Sequence, residues 1–527
     1  MTVATLSLRD DFWEEFELED EDITFLYEYL LEKEIPLTSE ELTPLVVKQR
    51  ISREKEVLEK NLLDGKDIYA PKEEYEVGQG LVFPALNWQK GEVIDVRAGE
   101  NPELGEFQVI KVQFEEGIER EFASQIEEHI LNEPLEKVQA ESLDEAAVLE
   151  QNSDLLTEKI EQGLKDRPEF ACVAGRWFPR ALLLDINVGH LNLAEAVLDM
   201  NGGGPLSTKE LIEQVEISPD VHPRLIEFSL DMALQEDIRF DEVGPAGIIA
   251  WYLHSMEPDG VRETPPYLQY SPVDYDKSPL TDEMLELECV LDDELSSFKE
   301  SKSKPKDEVK ICLIFPHWRA GTLPLSARIE HLFPTAYEAP RIRFVLIDGD
   351  TGERFPGWVV RKDRYVYGLR DWYESKGLFP GGSVRIRQGK EPGEIIVEAD
   401  SSRATKNWMR TVLVGSDGEV VFATLKQIIS ADYNERMAII VPDVAAIDEV
   451  WKHSKKKTLP LEEIVVDIVR ELAKLNPQGH VHVAELYAAV NVIRRCPPGP
   501  LMSLLESRPW FAHVGDLHFK LDDAQGN

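Results

Sequence analysis

One ten-residue pattern occurs twice in this chain, near opposite ends. Leu164-Lys165-Asp166-Arg167-Pro168-Glu169-Phe170-Ala171-Cys172-Val173 leads into Gly175-Arg176-Trp177-Phe178. Leu505-Glu506-Ser507-Arg508-Pro509-Trp510-Phe511-Ala512-His513-Val514 leads into Gly515 and then His518-Phe519. The shared form is L-x-x-R-P-x-F-A-x-V, followed by glycine and an aromatic. A third, looser copy runs Arg239-Phe240-Asp241-Glu242-Val243-Gly244 and on to Trp251-Tyr252-Leu253. Repetition of one supersecondary unit constrains a fold more tightly than any composition does. Apolar residues separated by Gly and Pro make each copy a hairpin whose aromatic side can pack on helices.

The stretch from Gly204 to Leu253 shows what precedes the hairpin. Pro205-Leu206-Ser207-Thr208-Lys209-Glu210-Leu211 is a helix opening, with a hydroxyl at Ser207 or Thr208 to cap. Leu225, Phe228, Leu230, Met232 and Leu234 then supply a second helix. Helix, turn, helix, hairpin is the winged-helix order. The segment resembles the HARE-HTH family, which includes the amino-terminal domain of the delta subunit of bacterial RNA polymerase. Pro205-Leu206-Ser207 with Glu210-Leu211, Arg239-Phe240 with Val243-Gly244, and Trp251-Tyr252-Leu253 carry the resemblance. It implies a nucleic-acid-associated or polymerase-associated module, not a catalyst. Pro245-Ala246-Gly247-Ile248 makes the loop longer than the usual wing turn. The helix opening recurs at Pro36-Leu37-Thr38-Ser39-Glu40-Glu41-Leu42, where no wing follows, and without its proline at Val481-His482-Val483-Ala484-Glu485-Leu486. The first of these fits half a helix-turn-helix or a plain helical hairpin.

The expected fold class is α+β multidomain, with repeated winged-helix modules, a small Tudor/KOW-like barrel and a larger β-rich pseudobarrel. Residues 1–73 read as an acidic helical region. Residues 74–132 form short strands punctuated by glycine, with Ile110, Val112 and Phe114 on one face. Phe83, Trp88 and Phe107 suit either that barrel's core or an aromatic binding edge, and Glu115-Glu116-Gly117 reads as its hairpin turn. Winged-helix copies follow at 140–188 and 189–258. An acidic, proline-bearing linker at 259–308 includes Ser301-Lys302-Ser303-Lys304-Pro305. The pseudobarrel takes 309–443, and a C-terminal winged helix takes 455–522.

Gly368-Leu369-Arg370-Asp371-Trp372-Tyr373, then Gly377-Leu378 and Gly381-Gly382-Ser383-Val384, resembles the DNA-binding pseudobarrel of plant auxin-response factors, with Gly382 where that family usually has Asp. Between Arg341 and Arg387 ten basic residues face six acidic ones, a balance of +4 in a chain of formal charge -43. Tyr365, Tyr367, Trp372 and Tyr373 interleave with them, as on nucleic-acid surfaces. The expected contacts are Arg341, Arg343, Arg361, Lys362, Arg364, Arg370, Arg385 and Arg387, with Arg494 and Arg495 in the C-terminal copy. There, the helix before Phe511 has the most basic surroundings of the three.

The chain has 57 basic and 100 acidic side chains. That excludes a general nucleic-acid coat but not one basic domain, and it suits docking on a basic partner. Cys172, Cys289, Cys312 and Cys496 lie far apart without a C-x-x-C pair, which fits a reducing compartment and argues against a zinc or disulfide framework. The expected location is cytoplasmic, with no membrane partner. Gly202-Gly203-Gly204 lacks the G-K-[ST] of a phosphate loop and reads as a helix stop. His480-x-His482 lacks further ligands at zinc spacing. No catalytic constellation, metal site or cofactor motif stands out. Acidic runs such as Glu17 to Asp22 read as solvated faces. Two functions fit: a DNA-binding or transcription-associated protein contacting DNA through 309–443 and the C-terminal module, or a protein-interaction scaffold whose acidic modules bind a protein such as RNA polymerase.

Overall fold

The computed structural model describes residues 13–14, 16–63, 67–83, 86, 89–100, 107–114, 118–127, 129–132, 145–215, 221–296, 306–416, 418–457 and 460–522. Trp88, the Glu115–Gly117 turn and the 301–305 stretch lie outside these residues. The fold is mixed α+β, with several sheets that include a curled seven-stranded half-barrel. The chain divides into two bodies, one of Met1–Ile186 with Ser218–Met232 and one of Asn187–Ile217 with Ala233–Asn527.

Three small sheets share one plan. In each, a two-residue strand lies beside the last strand of a hairpin: Leu37–Thr38 beside Arg176–Pro179, Leu206–Ser207 beside Ala250–Leu253, and Val481–His482 beside His518–Leu521. A capping box ends the short strand and starts a helix. The Thr38, Ser207 and His482 backbone amides donate to Glu41, Glu210 and Glu485 at 2.9, 2.7 and 3.4 Å. Each cap side chain accepts an amide in return. Reciprocal bonds of this kind satisfy two orphan donors of the helix start. The next residue in each box, Leu42, Leu211 or Leu486, is buried.

The aromatic opposite the short strand closes the unit. Trp177 pairs with Leu37, Trp251 with Leu206 and Phe519 with Val481. A buried indole N–H requires an acceptor. Trp177 donates to Ser39 Oγ at 3.0 Å and Trp251 to Thr208 Oγ1 at 3.2 Å. The third unit has Val483 at the equivalent helix position, and its aromatic is Phe519, which has nothing to donate. The hairpins begin at Phe170, Phe240 and Phe511, all buried, and each amide closes a turn onto the residue three before it.

In the first body the short strand at Leu37 and its hairpin partner at Trp177 are separated by an inserted five-stranded sheet. Its strands run in order Asp67–Ile68, Gly80–Phe83, Gln89–Ala98, Gln108–Phe114, Glu119–Ser124. Amide bonds from Gln125 to Glu73 and from Ile126 to Pro71 join its two ends. Phe83 stacks between Tyr69 and Phe122 with centroids 4.8 and 4.4 Å away, so this aromatic is core. Phe107 is buried as well. One expectation is corrected here. Asp22, in the acidic run read as a solvated face, is buried and bonded through both oxygens to Arg50.

The second body holds the other two small sheets and the half-barrel. Its strands run in order Glu308–Cys312, Ser383–Gln388, Glu394–Glu398, Arg341–Asp348, Arg354–Val360, Tyr365–Tyr367, Thr322–Pro324. Only Arg341–Asp348 with Glu394–Glu398 is parallel. Ile342, Phe344 and Leu346 alternate inward onto Val384, Ile386 and Val397. A separate two-stranded ribbon, Ser401–Val414 with Val420–Ala431, follows the sheet. Gly202, Gly203 and Gly204 all take positive φ after the Val188–Met200 helix, as a helix stop requires. A Cβ on Gly204 would lie 2.5 Å from the Trp251 carbonyl.

Candidate nucleic-acid interface

The strands that bring the expected cations together also set acids beside them. Arg385 lies directly opposite Glu398 in the sheet and contacts Asp400 and Glu308 as well. Arg387 pairs with Glu398 at 2.8 Å, Arg364 with Glu330 at 3.9 Å and Arg370 with Glu374 at 3.8 Å. Arg361 donates to the Ala339 carbonyl. Arg343 lies over the Trp358 ring at 5.5 Å, and burial lowers its pKa. Lys362 is exposed and has no ion-pair partner among the described residues. The interleaved aromatics are core: Tyr365, Trp372 and Tyr373 are all buried.

Arg341 is held inside a cluster of acids. Its Nη1 lies 2.9 Å from Asp241 and 3.2 Å from Glu257, and His254 Nδ1 is 2.7 Å from Asp241. Asp241, His254 and Glu257 are spaced to hold a metal ion. The guanidinium already supplies a cation to both carboxylates. Burial, reinforced by Asp241, pushes the Glu257 carboxyl up to about 8.

The C-terminal expectation needs correction at Arg495. Its side chain is 0% exposed and bonds Asp293 at 2.6 Å and Glu294 at 2.7 Å. Burial alone would lower its pKa, but the two carboxylates hold it well above the usual range. Glu294 also accepts from His317 Nε2 at 3.0 Å, and Tyr487 donates to Asp293. Buried charges persist only when paired and hydrogen-bonded, and these are. The connector read as a linker therefore supplies two anions to a closed network. Arg494 is half-buried. His482 is a helix cap, and burial with Arg436 alongside lowers its pKa to about 4. The group spaced for a metal among the described residues includes neither His480 nor His482.

The helices preceding the three hairpins differ in what they expose. Glu145–Lys165 exposes Glu150, Asp154 and Glu158. In Pro223–Glu236, Leu225, Phe228 and Met232 enter the core of the first body, while Arg224, Gln235 and Glu236 are exposed. In Pro498–Ser507, residues Pro498 to Ser503 are buried, the Asp282–Leu291 helix packs on it, and Ser503 donates to the Asp276 carbonyl. Pro498 stands at the first helical turn, where proline is tolerated, so it starts the helix and does not shorten it.

Sequence reasoning missed the ribbon. Between Ser401 and Ser416, and again from Val420 to Ala431, there is no Asp or Glu, while Arg403, Lys406, Arg410 and Lys426 are basic. Lys406 opposes Ile428 and Trp408 opposes Lys426 on one face. Met409 and Ile429, on the other face, enter the half-barrel core. Trp408 is 65% and Ile428 68% exposed, and Lys426 Nζ lies 4.9 Å from the Trp408 centroid. Arg410 is bonded to Glu485, but Arg403 and Lys406 have no ion-pair partner among the described residues. The absence of acids from this stretch was visible in the sequence.

No helix among the described residues is long and apolar enough to cross a membrane. Comparison with family models, with curated proteins and with solved structures finds no match.

Proposed function

We propose that this chain is a non-catalytic interaction scaffold, in which three winged-helix modules contact protein and do not read duplex DNA. One observation carries the reading. At the position where a winged helix would place its recognition helix in the major groove, the first module offers an acid-lined helix and the third a closed one. Phosphate would be repelled by Glu150, Asp154 and Glu158, and a closed helix cannot enter a groove. The recurrent short strand, capping box and aromatic lock support the winged-helix assignment. An excess of 43 negative charges suits a basic protein partner, since complementary potentials steer association. The HARE-HTH resemblance makes RNA polymerase the first partner to test.

The test is a titration of the intact chain with labelled duplex DNA in low salt, run beside cross-linking in extracts of the source cell. The scaffold reading expects negligible duplex binding. It also expects cross-links to a basic partner that disappear when Glu150, Asp154 and Glu158 are changed to Gln, Asn and Gln. Salt-steep duplex binding, lost on changing the sheet cations, would favour the DNA-binding reading.

A further inference from the structure

One end of the 401–431 ribbon leaves a face open: Lys406, Trp408, Lys426 and Ile428 are exposed there, whereas further along the same face Val412 and Phe422 are buried in the C-terminal core. On that face, Lys406 and Lys426 lie diagonally between Trp408 and Ile428. A two-stranded ribbon on the surface would normally turn polar groups outward and keep a Trp inside, because an exposed indole gains nothing from water. The back face follows this rule only in part, with Met409 and Ile429 buried but Leu413, Val421 and Leu425 at the surface. The front face departs from it furthest, at Trp408 and Ile428, each of which lies directly opposite a lysine.

Charge complementarity identifies the occupant. In a chain with 100 acidic side chains, two runs of twelve or more residues without one acid form a local surface that attracts anions. Cations beside an exposed aromatic fit a polyanion carrying flat apolar groups. Unstacked bases stack on aromatic side chains, while Lys and Arg follow the phosphates. In a duplex the base faces are hidden within the stack, so a Trp platform favours single strands. We propose that the front face of this ribbon binds single-stranded nucleic acid, with Trp408 stacking on a base, Lys406 and Lys426 meeting phosphates, and Arg403, in the irregular stretch next to them, meeting a third. This goes beyond the scaffold reading, which concerns the winged-helix modules.

The intact chain is titrated with fluorescein-labelled oligothymidylate and oligouridylate across a salt series, which separates DNA from RNA as the source of the ligand. With three phosphate contacts the slope of log affinity against log salt is expected near about -2. Trp408→Ala should weaken binding about tenfold or more, while Trp408→Phe retains most of it. Lys406→Ala with Lys426→Ala should flatten the slope by roughly 0.7 per lysine removed. Because these side chains are exposed, melting curves of all variants should match the parent. Absence of binding to both oligonucleotides in low salt overturns the proposal. So does binding that survives Trp408→Ala and the double lysine change. If Trp408→Ala instead alters the sedimentation of the chain alone, the face joins two copies and the proposal fails.

Discussion

The half-barrel stretch from Arg341 to Arg387 and the ribbon from Ser401 to Ala431 are both basic stretches of one acidic chain, but they differ in what lies across from each cation. In the sheet, neighbouring strands deliver Glu398, Asp400 and Glu394 to Arg385, Arg387 and Arg354. In the ribbon, each strand's neighbour is itself free of acids, so Lys406 and Lys426 meet none across the strands, and Arg410 is engaged only by Glu485 from outside the ribbon. A count along the sequence gives +4 for the first stretch and misses the second. Cross-strand pairing, not local composition, decides which charge reaches the solvent.

That contrast can be broken by removing cations according to how deeply they are paired. The largest effect is expected at Arg495. Arg495→Ala leaves Asp293 and Glu294 buried without their counterion, which costs about 3–5 kcal/mol. Denaturant unfolding monitored by far-UV circular dichroism should show the loss, and oligonucleotide binding by the folded fraction should be unaffected. A variant as stable as the parent would mean the network is not closed.

A smaller effect sharpens the contrast between the repeated modules. Thr208→Val removes the acceptor of the Trp251 indole and should cost about 1–3 kcal/mol. The double change Thr208→Val with Trp251→Phe copies the third module's pairing of Val483 with Phe519. It should recover part of the loss, measured as a coupling in a double-mutant cycle. If the two changes simply add, the hydroxyl-indole bond is not what links them.

Two titrations come next. Glu257 holds its proton to about 8 in the folded chain, against an ordinary value of 4.5. The folded state therefore binds more protons between those values, and its stability falls as pH rises through that window. Glu257→Gln should flatten this fall. His482 behaves oppositely, because its folded value is lowered from 6.5 to about 4. The unfolded chain binds more protons between these limits, so stability is lost as pH falls from 6.5 toward 4. His482→Asn, which keeps a capping oxygen, should reduce that loss. Unfolding midpoints collected from pH 4 to 9 would expose either error of sign. The smallest stability effect belongs to the solvent-facing sheet pairs. Arg385→Ala with Arg387→Ala should leave the unfolding midpoint almost unchanged.

Much of the repeating architecture was legible because its devices are local. A capping residue three before Glu, a buried Leu after it and an aromatic behind a glycine turn all lie within short windows. What was not legible depends on partners distant in sequence. Leu37 finds Trp177 only across the inserted five-stranded sheet. Arg495 looks like a surface cation until Asp293 and Glu294, two hundred residues earlier, fold against it. The connector that carries those acids has the composition of a linker. The ribbon was missed for a different reason, since its signal is the absence of acids, which stands out only against the whole chain.

The most direct measurement compares the two basic regions in one titration. Lys406→Glu with Lys426→Glu, and Arg385→Glu with Arg387→Glu, are each introduced into the intact chain and titrated with oligothymidylate in low salt. The ribbon pair should abolish binding and leave the melting curve unchanged. The sheet pair should leave affinity within about twofold of the parent, because those arginines are already engaged by Glu398 and Asp400. Loss of binding in the sheet variant with retention in the ribbon variant would contradict the view that strand pairing, not composition, sets the nucleic-acid surface.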